Sequence, residues 1–302
     1  MNEQTGAERW RFQTIKPNML RCTYGGASAN NRYSLVLNEA LATKSEGDGA
    51  CNIKCAQAEH AITVHFPNGT ELSIVDFELR PIDVIRYTTG GEAPVVETIK
   101  TVDGQRTQIA NLRPVVDRTA FEGRIDFSIP KSARIFGLGQ DEEGRLNKRG
   151  IKQYLYQHNM RTPMPFFVTD QEYGVFFDCA SLMVFDDTGE TTRVLLDTVE
   201  QIDCYLIAGS MDEIVSGIRY LTGTAALLPK WAFGYLQSRE RYATQEEMLD
   251  VARRYCELHI PLDCVVQDWK TWEGDLWGQK TVDRTRYPDL ASMNQALQKM
   301  HV

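Results

Sequence analysis

From the N-terminus to about residue 225, apolar positions recur in short alternating or continuous runs: NRYSLVLNEA, HAITVHF, ELSIVDFEL, DVIRYTT, RIDFSI, TRVLLDT and IDCYLIAG. Turn chemistry separates them, as at Tyr24-Gly25-Gly26, Pro67-Asn68-Gly69, Thr89-Gly90-Gly91 and Asp187-Thr188-Gly189. Period-two runs bounded by Gly, Asn and Asp read as strands, and many short strands at this spacing predict an antiparallel β-sandwich rather than βαβ units.

The pattern changes near Met211. Ile214, Ile218 and Leu221 share one face at helical spacing, and Pro229 marks a boundary. The near-continuous apolar run Trp231–Ser238 reads as a strand buried on both faces. Thr244-Gln245-Glu246-Glu247 has the form of a capping box and places a helix start at Thr244; Met248, Val251, Ala252 and Tyr255 supply its apolar stripe. Leu262–Trp269 reads as a second buried strand, and Leu290–Met300 as a second helix. Strand, helix, strand and helix with right-handed crossovers open a parallel sheet or barrel, and a closed barrel needs about eight strands. The expected division is a sandwich over residues 1–225 and a barrel opening over 226–302.

Composition narrows the function classes. The chain has 302 residues, 42% of them hydrophobic, and a net charge of −8 with no long run of either sign. A duplex-binding protein shows a basic stripe to neutralise phosphates, so nucleic acid is not an expected partner. No window approaches the roughly 18 uninterrupted apolar residues of a membrane span, and the N-terminus MNEQTGAERWRFQTI lacks a signal peptide's apolar core. No membrane association and a cytoplasmic location are expected. The seven cysteines are irregularly spaced and several lie in apolar runs, which fits reduced, buried thiols.

Three patterns are set aside. Cys51, Cys55, His60 and His65 suggest a zinc site, but the two histidines lie five apart in a strand-like run and point to opposite faces. Gly137-Leu138-Gly139 is no dinucleotide fingerprint, because Glu142 stands in the third glycine's place. Asn68-Gly69-Thr70 is a glycosylation sequon of little meaning in a cytosolic protein. No metal and no cofactor are expected.

Four blocks in order carry a resemblance. RIFGLGQ (Arg134–Gln140), YQHNMRTPMPFFVTDQEYGVFFD (Tyr156–Asp178), LLPKWAFGYLQSRERY and LDCVVQDWKTW resemble the family 31 glycoside hydrolases, retaining enzymes acting mostly on α-glycosides. From about residue 130 the match is specific; residues 1–129 agree only in general sandwich character. The resemblance implies a galactose mutarotase-like β-sandwich followed by the first two βα units of a (β/α)8 TIM barrel. It implies a retaining exo-α-glycosidase acting on terminal α-xylosides or α-glucosides, with an oligosaccharide or glycoside as partner, and it leaves room for a homo-oligomer of the longer protein. An α-N-acetylgalactosaminidase of the same family and a non-catalytic carbohydrate-binding fragment are the alternatives.

Such enzymes use two carboxylates about 5 Å apart. In this family both come from later barrel strands, beyond Val302, so neither is assigned to a residue here. The sugar-holding carboxylate at the end of the second strand maps onto Asp268, the strand end where barrel active sites lie. Trp269, Trp272 and Trp277 follow, and their rings can stack on sugars. Trp277 and Lys280 are the preferred pair in that loop. Gln237 and Arg239 end the first strand, and Met160 lies in the Gln157–Arg161 loop that the resemblance places along the site wall.

Overall fold

The short runs become strands where alternate residues find an apolar face to bury. The computed structural model describes residues 10–25, 34–37, 51–58, 61–102, 104–274, 276 and 279–302. The strands before the helical segment are β1 (Trp10–Lys16), β2 (Met19–Tyr24), β3 (Lys54–Gln57), β4 (Ile62–His65), β5 (Glu71–Thr88), β6 (Val96–Thr101) and β7 (Gly104–Ile109). They continue with β8 (Arg113–Ser128), β9 (Ile135–Gln140), β10 (Lys152–Leu155), β11 (Thr162–Thr169), β12 (Tyr173–Phe177), β13 (Met183–Asp186), β14 (Thr192–Val199) and β15 (Ile202–Ala208). Of the run NRYSLVLNEA only residues 34–37 are described, and they form no strand.

The chain divides into two compact units: Met1–Arg86 with Val116–Ala225, and Tyr87–Val115 with Ala226–Val302. The hairpin β6–β7 therefore groups with the second unit, whereas the sequence reading assigns the whole of 1–225 to the sandwich.

In the first unit a six-stranded sheet, ordered β1-β2-β15-β12-β11-β9, faces a seven-stranded sheet, ordered β10-β13-β14-β8-β5-β4-β3. Aromatic rings from both sheets interlock between them. Phe127 and Phe185 of one sheet meet Phe167 and Phe177 of the other, with Phe127–Phe167 at 5.9 Å and Phe167–Phe185 at 5.7 Å, both edge-to-face. Burying each ring contributes about 1.5–3 kcal/mol, and edge-to-face contact adds about 0.5–1.5 kcal/mol.

A helix, α1 (Met211–Thr222), covers the outer face of the six-stranded sheet. The Ser210 hydroxyl accepts from the Glu213 amide, and the Glu213 carboxylate accepts from the Ser210 amide, closing a full capping box. Ile214, Ile218 and Leu221 are buried against Met19, Phe166, Phe176, Tyr205 and Ile207, as the helical spacing predicts. Gly217 permits the close approach, because a Cβ there would sit 2.9 Å from Ile207 Cγ2.

The Gly137-Leu138-Gly139 segment has a structural explanation. All three residues take positive φ (103°, 63° and 80°) where β9 meets an irregularity in its pairing with β11, between Pro163 and Phe167. A Cβ on Gly139 would lie 2.0 Å from the Thr162 carbonyl oxygen, so only glycine fits.

Among the described residues, the strands of the six-stranded sheet bury one charged side chain, Asp203. The Asp203 carboxylate, 2% exposed, accepts from Arg21 at 3.0 Å to Oδ1 and 2.5 Å to Oδ2. Burial pushes the Asp203 carboxyl up even with the guanidinium beside it.

The second unit begins differently from its sequence reading. Lys230–Phe233 is a single 3-10 turn, and the strand is only β16 (Leu236–Arg239). Before Tyr235 no strand among the described residues pairs with the chain, which closes its hydrogen bonds locally, with the Gly234 amide donating to the Trp231 carbonyl at 3.0 Å. The run is also far from doubly buried, with Phe233 75% exposed. Next come α2 (Gln245–Glu257), β17 (Cys264–Gln267) and α3 (Leu290–Lys299). Thr244 caps α2 through its side chain, but Glu247 turns away from the reciprocal bond: its Oε2 accepts from the Ala243 amide and its Oε1 from Arg239. The capping box is therefore half formed. A small core of Tyr242, Met248, Leu249, Tyr287 and Met293 holds the two helices to the strand ends. Among the described residues no helix is long and apolar enough to cross a membrane.

Two measurements follow from these contrasts. Arg21→Met should destabilise the protein by about 3–5 kcal/mol at pH 7, since it strands a buried carboxylate. Asp203 binds its proton more tightly folded than unfolded, so acid favours folding at this site. Chemical denaturation across pH should show the Arg21→Met deficit shrinking as pH falls through the raised Asp203 pKa; a pH-independent deficit would refute the assignment. Separately, amides of the half-buried β17 and the mostly exposed β16 should exchange with deuterium faster than those of the fully buried β12 and β15.

Candidate functional site

The second unit brings two strand ends together. β16 and β17 pair in parallel, with Leu236 opposite Cys264 and Arg239 opposite Gln267. Both C-terminal ends thus fall at one rim, and the residues that follow, Glu240-Arg241 and Asp268-Trp269, share it. The Trp269 amide donates to the Glu240 carbonyl at 2.8 Å, which ties the two exits together. Gln267, at the last strand position, accepts from the Tyr242 amide at 3.0 Å and donates to the Trp269 carbonyl at 3.0 Å. This amide fixes the direction in which both loops leave the sheet.

Asp268 is exposed at that rim, and among the described residues its carboxylate has no hydrogen-bond or ion-pair partner. Trp269 beside it is half-buried. Its ring meets that of Trp272 edge-on at 5.7 Å, with the Arg241 guanidinium 5.5 Å and the Lys270 ammonium 5.8 Å from its centre. Such cation–π contacts fix the plane of the indole. Trp272 is only 9% exposed, so it backs Trp269 from beneath the loop and presents no open face.

The loop after Asp268 is clamped from its far end. The Arg286 guanidinium donates to the carbonyls of Lys270 at 2.7 Å and Trp272 at 2.8 Å, and to Asp283 at 2.8 Å. The Asp283 amide donates to the Thr271 carbonyl at 2.7 Å. The bond from Arg286 holds the Asp283 carboxyl below its ordinary range, so the clamp stays charged at neutral pH. The Tyr287 hydroxyl donates to the Tyr242 carbonyl at 2.5 Å, joining the clamp to the first loop.

The remaining residues expected at the site fall in different settings. Gln237 accepts from the hydroxyls of Tyr235 at 2.8 Å and Tyr255 at 2.7 Å, and its amide nitrogen reaches the Tyr242 hydroxyl at 3.4 Å. Arg239 pairs with Glu247 at 3.0 Å and lies over the Tyr242 ring. Both side chains are therefore engaged with α2 and the turn that leads into it. Lys280 is exposed, and Trp277 lies outside the described residues. Met160 belongs to the first unit, where it is 70% exposed with φ 66°. Around it Gln157 donates to the carbonyls of His158 and Arg161, and Arg161 reaches Glu142 at 3.4 Å.

Sequence reasoning passed over Gln267, Arg286, Asp283 and Tyr287. The Asp283 turn carries a signal, since its Oδ1 accepts from the Thr285 amide at 2.9 Å, the usual turn-forming use of Asp. The reach of Arg286 across to two carbonyls depends on tertiary structure and leaves no local mark.

An unpartnered carboxylate can accept from two adjacent sugar hydroxyls, and a fixed indole beside it offers a flat apolar face. Among the described residues no cluster of His, Cys, Asp or Glu is arranged to hold a metal ion.

Comparison with known proteins bears on the same segment. Residues 225–302 match the family described as "Glycosyl hydrolases family 31 TIM-barrel domain". The chain is 36% identical over 185 residues to an alpha-xylosidase of Saccharolobus solfataricus, covering 58% of this chain and 25% of that protein. It is 25% identical over 177 residues to alpha-xylosidase A of Aspergillus niger, covering 58% of this chain and 24% of that one. The chain thus spans about a quarter of the length of these relatives. Among solved structures, a GH31 alpha-xylosidase from Xanthomonas citri aligns over all of this chain and 48% of its own, with a TM-score of 0.69 at 16% identity. A GH31 alpha-xylosidase from a soil metagenome, complexed with xylose, aligns over 97% of this chain and 44% of its own, with a TM-score of 0.67 at 21% identity. At these identities the structures speak for the fold, and the sequence matches speak for descent. Together they relate this chain to glycoside hydrolase family 31, whose TIM-barrel domain matches residues 225–302.

Proposed function

We propose that this chain is the galactose mutarotase-like sandwich and the first two βα units of the (β/α)8 barrel of a retaining exo-α-glycosidase. Its substrates are terminal α-linked sugars, α-xylosides ahead of α-glucosides. The observation that carries the reading is Asp268: a carboxylate without a partner among the described residues, at the shared C-terminal rim of two parallel strands and beside an indole held in place.

In this mechanism Asp268 accepts hydrogen bonds from two hydroxyls of the terminal sugar and orients the ring, while Trp269 supports one wall. The nucleophile and the acid/base come from later barrel strands. As positive charge develops at the anomeric carbon, the hydroxyls become better donors and their bonds to Asp268 strengthen, so the residue stabilises the transition state more than the bound substrate. The preference for α-xylosides rests on the relatives of that name.

The test uses the whole native protein with aryl α-xyloside, α-glucoside and α-N-acetylgalactosaminide. α-Xyloside should give the highest kcat/KM; preference for the N-acetylated sugar would select the other branch of the family, and turnover of none would reject the reading. Asp268→Ala should lower kcat/KM by about 10²–10³-fold, with losses in both kcat and 1/KM. Loss confined to KM would reduce Asp268 to a ground-state contact.

A further inference from the structure

Among the described residues of the second unit, His259, Lys270 and His301 take positive φ although none is glycine. His259 and His301 each follow the C-cap of a helix, α2 and α3, where left-handed backbone is usual. Lys270, at φ 58°, follows no helix. It stands directly after Trp269 and two residues after Asp268. Left-handed backbone is disfavoured for a residue with a Cβ, so surrounding contacts have to hold it.

Two grips on successive carbonyls do so. From the end of β17, Gln267 Nε2 donates to the Trp269 carbonyl at 3.0 Å. From the turn that leads into α3, Arg286 Nη2 donates to the Lys270 carbonyl at 2.7 Å. The same nitrogen donates to the Trp272 carbonyl at 2.8 Å, and the Asp283 amide donates to the Thr271 carbonyl between them at 2.7 Å. Three consecutive carbonyls thus meet one turn, an arrangement that the reversal at Lys270 allows. The reversal also brings Trp272 back against the Trp269 ring. Arg286 is itself aimed: its Nε donates to Asp283 Oδ2 at 2.8 Å, and its carbonyl accepts from the Gln245 amide, at the start of α2, at 2.9 Å.

We propose that Arg286 is a positioning residue for substrate binding and turnover, acting through Asp268 by holding Lys270 in its left-handed conformation, an assignment that rests on Asp268 being the carboxylate that holds the terminal sugar. Without the guanidinium, the Lys270 and Trp272 carbonyls lose their donor and Lys270 relaxes toward extended backbone. The peptide between Trp269 and Lys270 turns with it, Gln267 loses the Trp269 carbonyl, and the Asp268 carboxylate no longer keeps one direction.

The experiment is a double-mutant cycle in the whole native protein, with an aryl α-xyloside as substrate. Arg286→Met should lower kcat/KM about twentyfold in the otherwise wild-type protein, shared between kcat and KM, and less than about threefold in the Asp268→Ala background. A residue that only keeps the protein folded would cost the same factor in both. Adding Lys270→Asn to Arg286→Met should restore about threefold, because asparagine takes left-handed backbone more readily than lysine. Equal losses in the two backgrounds, or no recovery with Lys270→Asn, would overturn the proposal. If Arg286→Met fails to fold, Asp283→Asn takes its place. It keeps an oxygen for the Thr285 amide, removes the charge that aims the guanidinium, and should cost about fivefold with the same dependence on Asp268.

A second readout is independent of turnover. With 5-fluorotryptophan incorporated, the fluorine resonance of Trp269, assigned with Trp269→Phe, should be single and narrow in the wild type. It should broaden or double in Arg286→Met and narrow again when Lys270→Asn is added. A wild type that hydrolyses no α-glycoside would sink the glycosidase reading, and the fluorine resonance would still decide whether Arg286 holds the loop. A Trp269 resonance unchanged by Arg286→Met overturns the positioning role in either case.

Discussion

The parallel pairing of Leu236–Arg239 with Cys264–Gln267 is the constraint on which the functional reading depends. A parallel pair joined by a helix sends both strands in one direction, so whatever follows each strand emerges at the same rim. A slip of one residue would turn every side chain to the other face and carry Asp268 away from the rim. The register is held by bonds at the exits: Gln267 grips the Tyr242 amide and the Trp269 carbonyl, and the Trp269 amide grips Glu240. Arg286 and Asp283 then hold the following loop. Among the described residues the Asp268 carboxylate takes part in none of these bonds.

The sandwich meets a different demand. Its two sheets close over interlocked rings, and the buried Asp203 carboxylate is tolerated because Arg21 lies against it with two bonds.

Much of this was legible in the sequence. Alternation marked the sandwich strands, and Ile214, Ile218 and Leu221 marked the buried face of α1 because a surface helix has one apolar stripe. The Thr244 cap was readable for the same local reason. The strand beginning at Trp231 was not, because an apolar run does not say where its hydrogen-bond partner begins; pairing starts at Leu236. Asp268 could be placed from its position after an apolar strand, and Trp269 from its adjacency. Gln237 and Arg239 were read as strand-end residues facing the site, and in the structure their side chains bond to Tyr235, Tyr255 and Glu247, of which Tyr255 lies on the following helix, 18 residues from Gln237. The clamp formed by Arg286 was invisible for that reason too.

The central claim is that the rim around Asp268 serves a retaining α-glycosidase. The most direct measurement is the anomeric form of the sugar first released from an aryl α-xyloside by the whole native protein, followed by proton NMR before mutarotation. The account predicts that α-xylose appears first and the β-anomer accumulates only later. Initial release of β-xylose would contradict a double-displacement mechanism, and no release from any α-glycoside would contradict the claim altogether.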